Sequence, residues 1–189
     1  MIEKQLREYL KKNLSEKRFR HSESAGRVAL ELCRIYHLPV DMGFIAGLGH
    51  DIARETEPAQ LLELALSKFS LEKWEMQGVN ILHGKAGAAL LQRDFGINDA
   101  EILEAVAWHT TGIPGMGDLA KIVYIADYIE PNRKHVNLEI RTSIENLSLH
   151  DAFMLIVRKK MEYLKKSCRT AAPPTEALYK GLEYQRLTS

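Results

Sequence analysis

Apolar residues recur about every three to four positions along most of this chain, the spacing of helices that bury one face. Ile2 to Lys12 follows it, and Val28, Leu32 and Ile35 carry it through a second segment that stops before "LPVD". Asp41 is expected to cap the next helix, the one carrying "AGLGHDIARE". Pro58 opens "PAQLLELALSKF", where its missing N–H costs little. Asn98 with Glu101 has the spacing of a capping box before "AEILEAVAWHT", and Asp118 is placed to cap "LAKIVYIADYI", which Pro131 ends. Leu149 to Lys166 predicts a long helix, and Pro173-Pro174 separates it from a last one that starts at about 175. No segment alternates as a strand does. The run "IVYIA" continues helix-period residues on both sides. The pattern predicts an all-α bundle of about eight helices. The segment "TTGIPGMG", residues 110–117, is its most loop-like stretch and the one expected to move.

Length and charge narrow the classes of function. A chain of 189 residues is expected to form one domain spanning 1–189. Its 26 Lys+Arg against 25 Asp+Glu leave a net charge of +1, which supplies no global field for nucleic acid or an anionic membrane. An anionic substrate must be met by local charge. Cys33 and Cys168 lie far apart and lack partners at zinc-ribbon spacing. The N-terminus lacks a continuous apolar signal region, and no apolar run is long enough to span a bilayer. A soluble cytoplasmic protein is expected. One sequence does not set an oligomeric state, although a homodimer is compatible with it.

Several polar residues break the apolar pattern. His50 and Asp51 stand together in an apolar segment with Gly43, Gly47 and Gly49, and each glycine there costs about 1 kcal/mol against alanine in a helix. Such a cost is accepted where another backbone or a ligand comes close. Asp127 lies in "KIVYIADYIE", apolar over most of its circumference, so its carboxylate needs a partner: a metal, an arginine, or a neighbouring helix end to cap. His21, His83 and His109 each lie near a helix end, whereas His37, His135 and His150 read as surface residues. Imidazoles and carboxylates together suit a mixed N/O site for a divalent metal rather than a closed structural zinc site.

The order His21, His50-Asp51, Asp127 resembles the H…HD…D signature of HD-domain metal-dependent phosphohydrolases. More narrowly, "RFRHSESAGRVALELC", "AGLGHDIARE", "ILHGKAGAALLQRDFGI", "AWHTTGIPGMGDLAKIVYIADYIEPNR" and "PPTEALYKGLEYQ" resemble the YqeK family of bacterial HD proteins over nearly the whole chain. That family is known as symmetrical diadenosine tetraphosphate hydrolases that bind iron and release two ADP. The resemblance implies an HD-domain helical bundle in which His21, His50, Asp51 and Asp127 hold a first metal. It also implies that His83 and His109 serve a second metal or the nucleotide phosphates, and that Asp51 bridges if two ions are present. Asp51, His83 and His109 would be catalytic. The nucleotide would meet His21, Arg54, His83, His109, Thr110, Asp127 and Arg133, with the segment Thr170, Ala171, Ala172, Pro173, Pro174, Thr175 closing over it. One departure is Ala172, where the family commonly has a histidine.

The chemistry of these residue types agrees with a phosphohydrolase. A divalent ion acidifies bound water, and two ions clamp the attacking and leaving oxygens of an in-line displacement at phosphorus. Iron and manganese both accept such ligands. Arg54 and Arg133 offer planar charged forks for phosphate. For Arg54 the alternative is an exposed pair with Glu57. Lys85 is either a third cation or a solvated helix residue. Phe19, Trp108 and Tyr128 are candidates for adenine stacking, against which stands ordinary core packing. Two other functions remain open at this point: an HD phosphohydrolase of another nucleotide (a nucleoside monophosphate or a guanosine alarmone), and a non-catalytic nucleotide-binding regulator.

Overall fold

The computed structural model describes residues 2–133, 136 and 138–188. Among these residues there are eleven α-helices and no strand, so the all-α expectation holds with more helices than the period alone separates. In chain order they are α1 (Ile2–Asn13), α2 (Glu16–Ile35), α3 (Val40–Gly49), α4 (Pro58–Leu66), α5 (Lys73–Gln77), α6 (His83–Phe95), α7 (Ala100–Trp108), α8 (Asp118–Ile129), α9 (Leu138–Glu145), α10 (Leu149–Lys166) and α11 (Pro173–Thr188). A 3-10 turn at Val79–Ile81 leads into α6. The extra helices are the short α5 and α9, too brief to display a clear period.

The core runs from Leu6 and Leu10 of α1 through Leu48, Leu91, Ile122, Tyr124 and Ile125 to Phe153 and Ile156 of α10, with Leu178 of α11 joining it. The contacts that position the site are α2 on α3, α6 on α7, and α8 against α2, α7 and α10. Two glycines set the closest approaches. A Cβ at Gly47 would stand 2.8 Å from Ala29 Cβ and 2.9 Å from Ala25 O, and one at Gly84 would stand 2.6 Å from Ala107 O. The glycine cost in "AGLGHD" is therefore met by a neighbouring backbone, that of α2.

Three caps differ from the sequence expectation. Pro39 precedes α3, and Asp41 lies inside its first turn without capping it. Asp99, not Asn98, caps α7, its side chain accepting from Glu101 N and Ile102 N. A carboxylate one residue nearer reaches those donors directly, and Asn98 donates to Gly96 O instead. Gly117 is the N-cap of α8, and its N–H donates to Glu104 Oε2 of α7 at 3.0 Å, a tertiary bond that local spacing does not reveal. Pro58 stands in the first turn of α4, as expected. The last helix starts at Pro173 itself rather than at about 175, since proline is suited to a first helical turn. Residues 110–117 are non-helical, as expected. His37 and His150 are exposed, and the surface reading of His135 lies outside the described residues.

Candidate metal centre

Five helices deliver one group of side chains. His21 comes from α2, His50 caps the C-terminus of α3 with Asp51 following in the turn, His83 opens α6, His109 caps the C-terminus of α7, and Asp127 lies in the last turn of α8. Thus the pair at positions 50 and 51 ends its helix rather than sitting within it. Three helix C-termini converge here, and their exposed carbonyl ends favour a cation.

The tautomers follow from the partners of Nδ1. His50 Nδ1 is 2.6 Å from Gly47 O, His83 Nδ1 2.6 Å from Asn80 O, His109 Nδ1 2.8 Å from Val106 O, and His21 Nδ1 3.1 Å from Glu130 Oε1. Each Nδ1–H donates outward, so each Nε2 lone pair is aimed at the centre. There His21 Nε2 is 3.1 Å from His50 Nε2 and 3.1 Å from Asp127 Oδ1, and His50 Nε2 is 3.7 Å from Asp51 Oδ2. On the other side of the same carboxylate, Asp51 Oδ1 is 3.2 Å from His83 Nε2 and 3.6 Å from His109 Nε2, and those two nitrogens are 3.0 Å apart. Asp51 is therefore shared by two metal-competent groups, His21/His50/Asp51 and Asp51/His83/His109.

This donor set fits a metal. Donors bound at about 2.0–2.2 Å to one ion stand roughly 3–3.5 Å apart, the separations seen here. Lone pairs and carboxylate oxygens facing one another need positive charge among them. Burial drives the His50 imidazole down to about 3, keeping it a neutral ligand. Burial also lowers His21, but hydrogen bonds to Asp127 and Glu130 outweigh it and lift this imidazole to about 9. An entering cation therefore displaces a proton from His21. Burial opposes ionisation of Asp51 and Asp127, yet the imidazoles around both, and Arg133 and Lys160 near Asp127, hold them well below the ordinary carboxylate range.

The other expected site residues are gathered to different degrees. Arg133 pairs with Asp127 Oδ1 through Nη2 and donates from Nε to Asp127 O at 3.0 Å. Asp127 thus has an arginine and an imidazole as partners together, its side chain 14% exposed. Arg54 Nη1 donates to Asn80 O at 3.0 Å, against His83, and not outward to solvent. Thr110 Oγ1 lies 3.2 Å from His83 Nε2 and 3.0 Å from His109 Nε2. At the tail, Thr175 Oγ1 donates to Thr111 O at 2.8 Å, docking the start of α11 on the loop beside Thr110. Thr170 and Pro173 are exposed, while Ala171, Ala172 and Pro174 are half-buried.

Lys85 corrects both of its expected readings. Its Nζ pairs with Glu75 Oε1 at 2.6 Å in a buried contact, 4.8 Å above the Trp108 ring, so it is neither solvated nor available to a phosphate. Phe19, Trp108 and Tyr128 pack against the core, as the plainer reading held.

Three residues near the centre went unassigned in the sequence. Glu130, buried, accepts from His21 Nδ1 and from Asn132 N at 2.7 Å, and so fixes the His21 ring. It follows Asp127 by three positions, one helical turn, a signal available in "ADYIE". Arg18, one turn before His21, reaches Asp51 Oδ2 at 3.1 Å. Lys160 of α10 lies 4.0 Å from Asp127 Oδ2, and nothing in "VRKKME" separates it from its neighbours.

The comparisons with known proteins agree with this geometry. The HD domain profile matches residues 18–132. A symmetrical bis(5'-nucleosyl)-tetraphosphatase of Halalkalibacterium halodurans is 31% identical, over 92% of this chain and 92% of its own. The protein of that description from Bacillus subtilis is 32% identical, over 92% and 93%. A crystal structure from Clostridium acetobutylicum, described as a predicted HD superfamily hydrolase involved in NAD metabolism, superposes with a TM-score of 0.88 at 31% identity, covering 96% of this chain and 97% of that one. With one buried carboxylate shared between two imidazole pairs, and relatives matched from end to end, the chain belongs to the HD-domain family, in the branch of the symmetrical bis(5'-nucleosyl)-tetraphosphatases.

Proposed function

We propose that this protein hydrolyses diadenosine tetraphosphate symmetrically to two ADP, with the reaction centred on Asp51. The observation that carries the reading is the convergence of the His21, His50, His83 and His109 Nε2 atoms on Asp51 and Asp127, each imidazole turned inward by an outward Nδ1 hydrogen bond. A bound divalent ion supplies a Lewis acid and an acidified water at phosphorus. His21, His50, Asp51 and Asp127 are assigned to one ion, and Asp51, His83 and His109 to a second or to the phosphates. We take iron as the resident metal, with manganese able to replace it.

The rest of the work belongs to the chain. Arg54 and Arg133 present guanidinium groups to the polyphosphate, and Thr110 offers its hydroxyl between His83 and His109. Asp51, His83 and His109 are the catalytic groups, and residues 170–175 cover the nucleotide. In the reaction the bond between the central bridging oxygen and one inner phosphorus breaks. The oxygen of water joins that phosphorus, and a proton goes to the departing ADP. The products are identical only if the reacting phosphorus is one of the inner two. A cytoplasmic location belongs to the same reading, supported by the free thiols of Cys33 and Cys168.

The test is purification without added metal, metal analysis, and chromatography of the products from diadenosine tetraphosphate within a panel of nucleoside monophosphates and guanosine alarmones. ADP as the sole product, with label from ¹⁸O-water in one ADP per turnover, is expected. AMP with ATP overturns the symmetry, and nucleotide binding without turnover overturns the enzyme.

A further inference from the structure

An ammonium group held out of water normally has its charge met at contact distance. Elsewhere in this chain that is so: Lys85 meets Glu75 at 2.6 Å, Arg7 meets Glu23 at 2.6 Å and Arg158 meets Glu183 at 2.7 Å. Lys160 is different. Its side chain is only 18% exposed, yet Nζ lies 4.0 Å from Asp127 Oδ2, its carboxylate neighbour, and 3.4 Å from His109 O. The first separation is too long for a hydrogen bond, and the second is longer than the usual 2.9–3.0 Å or so. The Tyr124 ring, 3.5 Å below, supports the charge without using an N–H.

An ammonium has three donors to place, and this one places none well. It is not needed to neutralise Asp127, whose Oδ1 is engaged by Arg133 and by His21 at 3.1 Å. Its position has meaning for a ligand. It stands on the Oδ2 side of Asp127 and beside the His109 carbonyl, next to Thr110, whose hydroxyl touches both His83 and His109. Arg133 flanks the centre through Asp127 Oδ1 and Arg54 flanks it through His83, so Lys160 adds positive charge at the edge that these two leave to the tail.

We infer that Lys160 binds a phosphate oxygen of the nucleoside polyphosphate at the His109–Asp127 edge of the metal centre. This rests on the reading of the centre as a phosphohydrolase. It adds a binding residue from α10, beyond the span of the HD domain match, which ends at 132. A flexible four-carbon stem lets Nζ move the short distance to an oxygen that enters between Asp127 and Thr110.

The experiment compares the metal-loaded wild type with Lys160→Met and Lys160→Arg. Steady-state kinetics with diadenosine tetraphosphate, ADP binding by calorimetry, metal content and Tm are measured on each. Lys160→Met is expected to raise KM and the Kd for ADP about tenfold or more, the loss expected for a charged hydrogen bond, while kcat falls less and bound metal is retained. Lys160→Arg is expected to recover most of the affinity. Unchanged KM and ADP affinity in Lys160→Met overturns the inference. So does a loss of bound metal or Tm that accounts for the defect, because Lys160 then only supports Asp127. If the wild type fails to cleave the dinucleotide, the reading of its function falls, and ADP affinity still decides the role of Lys160.

Discussion

Two sets of charged side chains are withdrawn from water on either side of His83, and they follow opposite rules. Lys85, two residues along α6, meets Glu75 directly, and the other Glu75 oxygen accepts from Glu72 N at 3.0 Å. Each charge there has its opposite, and the set is closed. At the centre, four imidazole nitrogens and two carboxylates face inward, with Arg18, Arg133 and Lys160 only at the margin. That set is electron-rich and is completed by a cation. A satisfied buried pair holds structure together, whereas a convergent one that lacks its own counter-charge is built to hold something.

The comparison breaks first at Asp51. Asp51→Ala removes the carboxylate shared by both groups and should lower kcat/KM about a thousandfold or more, with metal content falling in parallel. Tm of the metal-free protein should hold, since no closed ion pair is lost. A variant that retains metal and turnover would remove Asp51 from the centre.

Lys85→Met should do the reverse. Leaving Glu75 buried and alone costs about 3–5 kcal/mol in denaturant unfolding, with kcat and metal content close to wild type. Pairing it with Glu75→Leu should return much of the lost stability. If Lys85→Met instead abolishes turnover while Tm stays fixed, the two sets are not separate.

Glu130→Gln tests the support behind His21. Loss of the carboxylate that fixes the ring should weaken metal affinity or activity about 10- to 100-fold, less than removal of a ligand. Metal titration of the variant reads it directly. No change there makes Glu130 a cap for Asn132 alone.

The smallest effect is a pH slope in chelator-treated protein. His21 rises from 6.5 to about 9 on folding, so its stabilisation is complete below pH 6.5 and is lost as pH climbs through 9. Lys160, lowered by burial to about 8, acts in the opposite sense above that pH. His50, held at about 3, titrates only on the acid side. Between pH 6.5 and 8 unfolding free energy should therefore fall, by less than about 1.4 kcal/mol per pH unit, the limit for one proton. A flat or rising profile in that window, or the same slope in His21→Ala, removes the proton from His21.

The long helices were legible because burial of one face leaves a period that can be read without coordinates. Leu149 to Lys166 appears as α10 with the expected bounds. So were the metal-facing residues, because His50-Asp51 and Asp127 interrupt apolar segments where such groups are costly. Caps were less legible, for a cap is a competition between adjacent polar residues: Asp99 prevails over Asn98, and Gly117 is satisfied by Glu104 from another helix.

Periodicity, apolar segments broken by costly polar groups, and the order of the motifs established an all-α HD-family chain and nominated six residues for its metal centre. Tertiary structure decided how each was to be used. It turned four Nδ1 atoms outward, placed Asp51 between two imidazole pairs, closed Lys85 onto Glu75 and left Lys160 open beside Asp127. The reason is that burial and cost depend on residue type and local spacing, which the sequence carries, whereas the partner of a charge depends on which helices meet, and that is fixed only when the core packs.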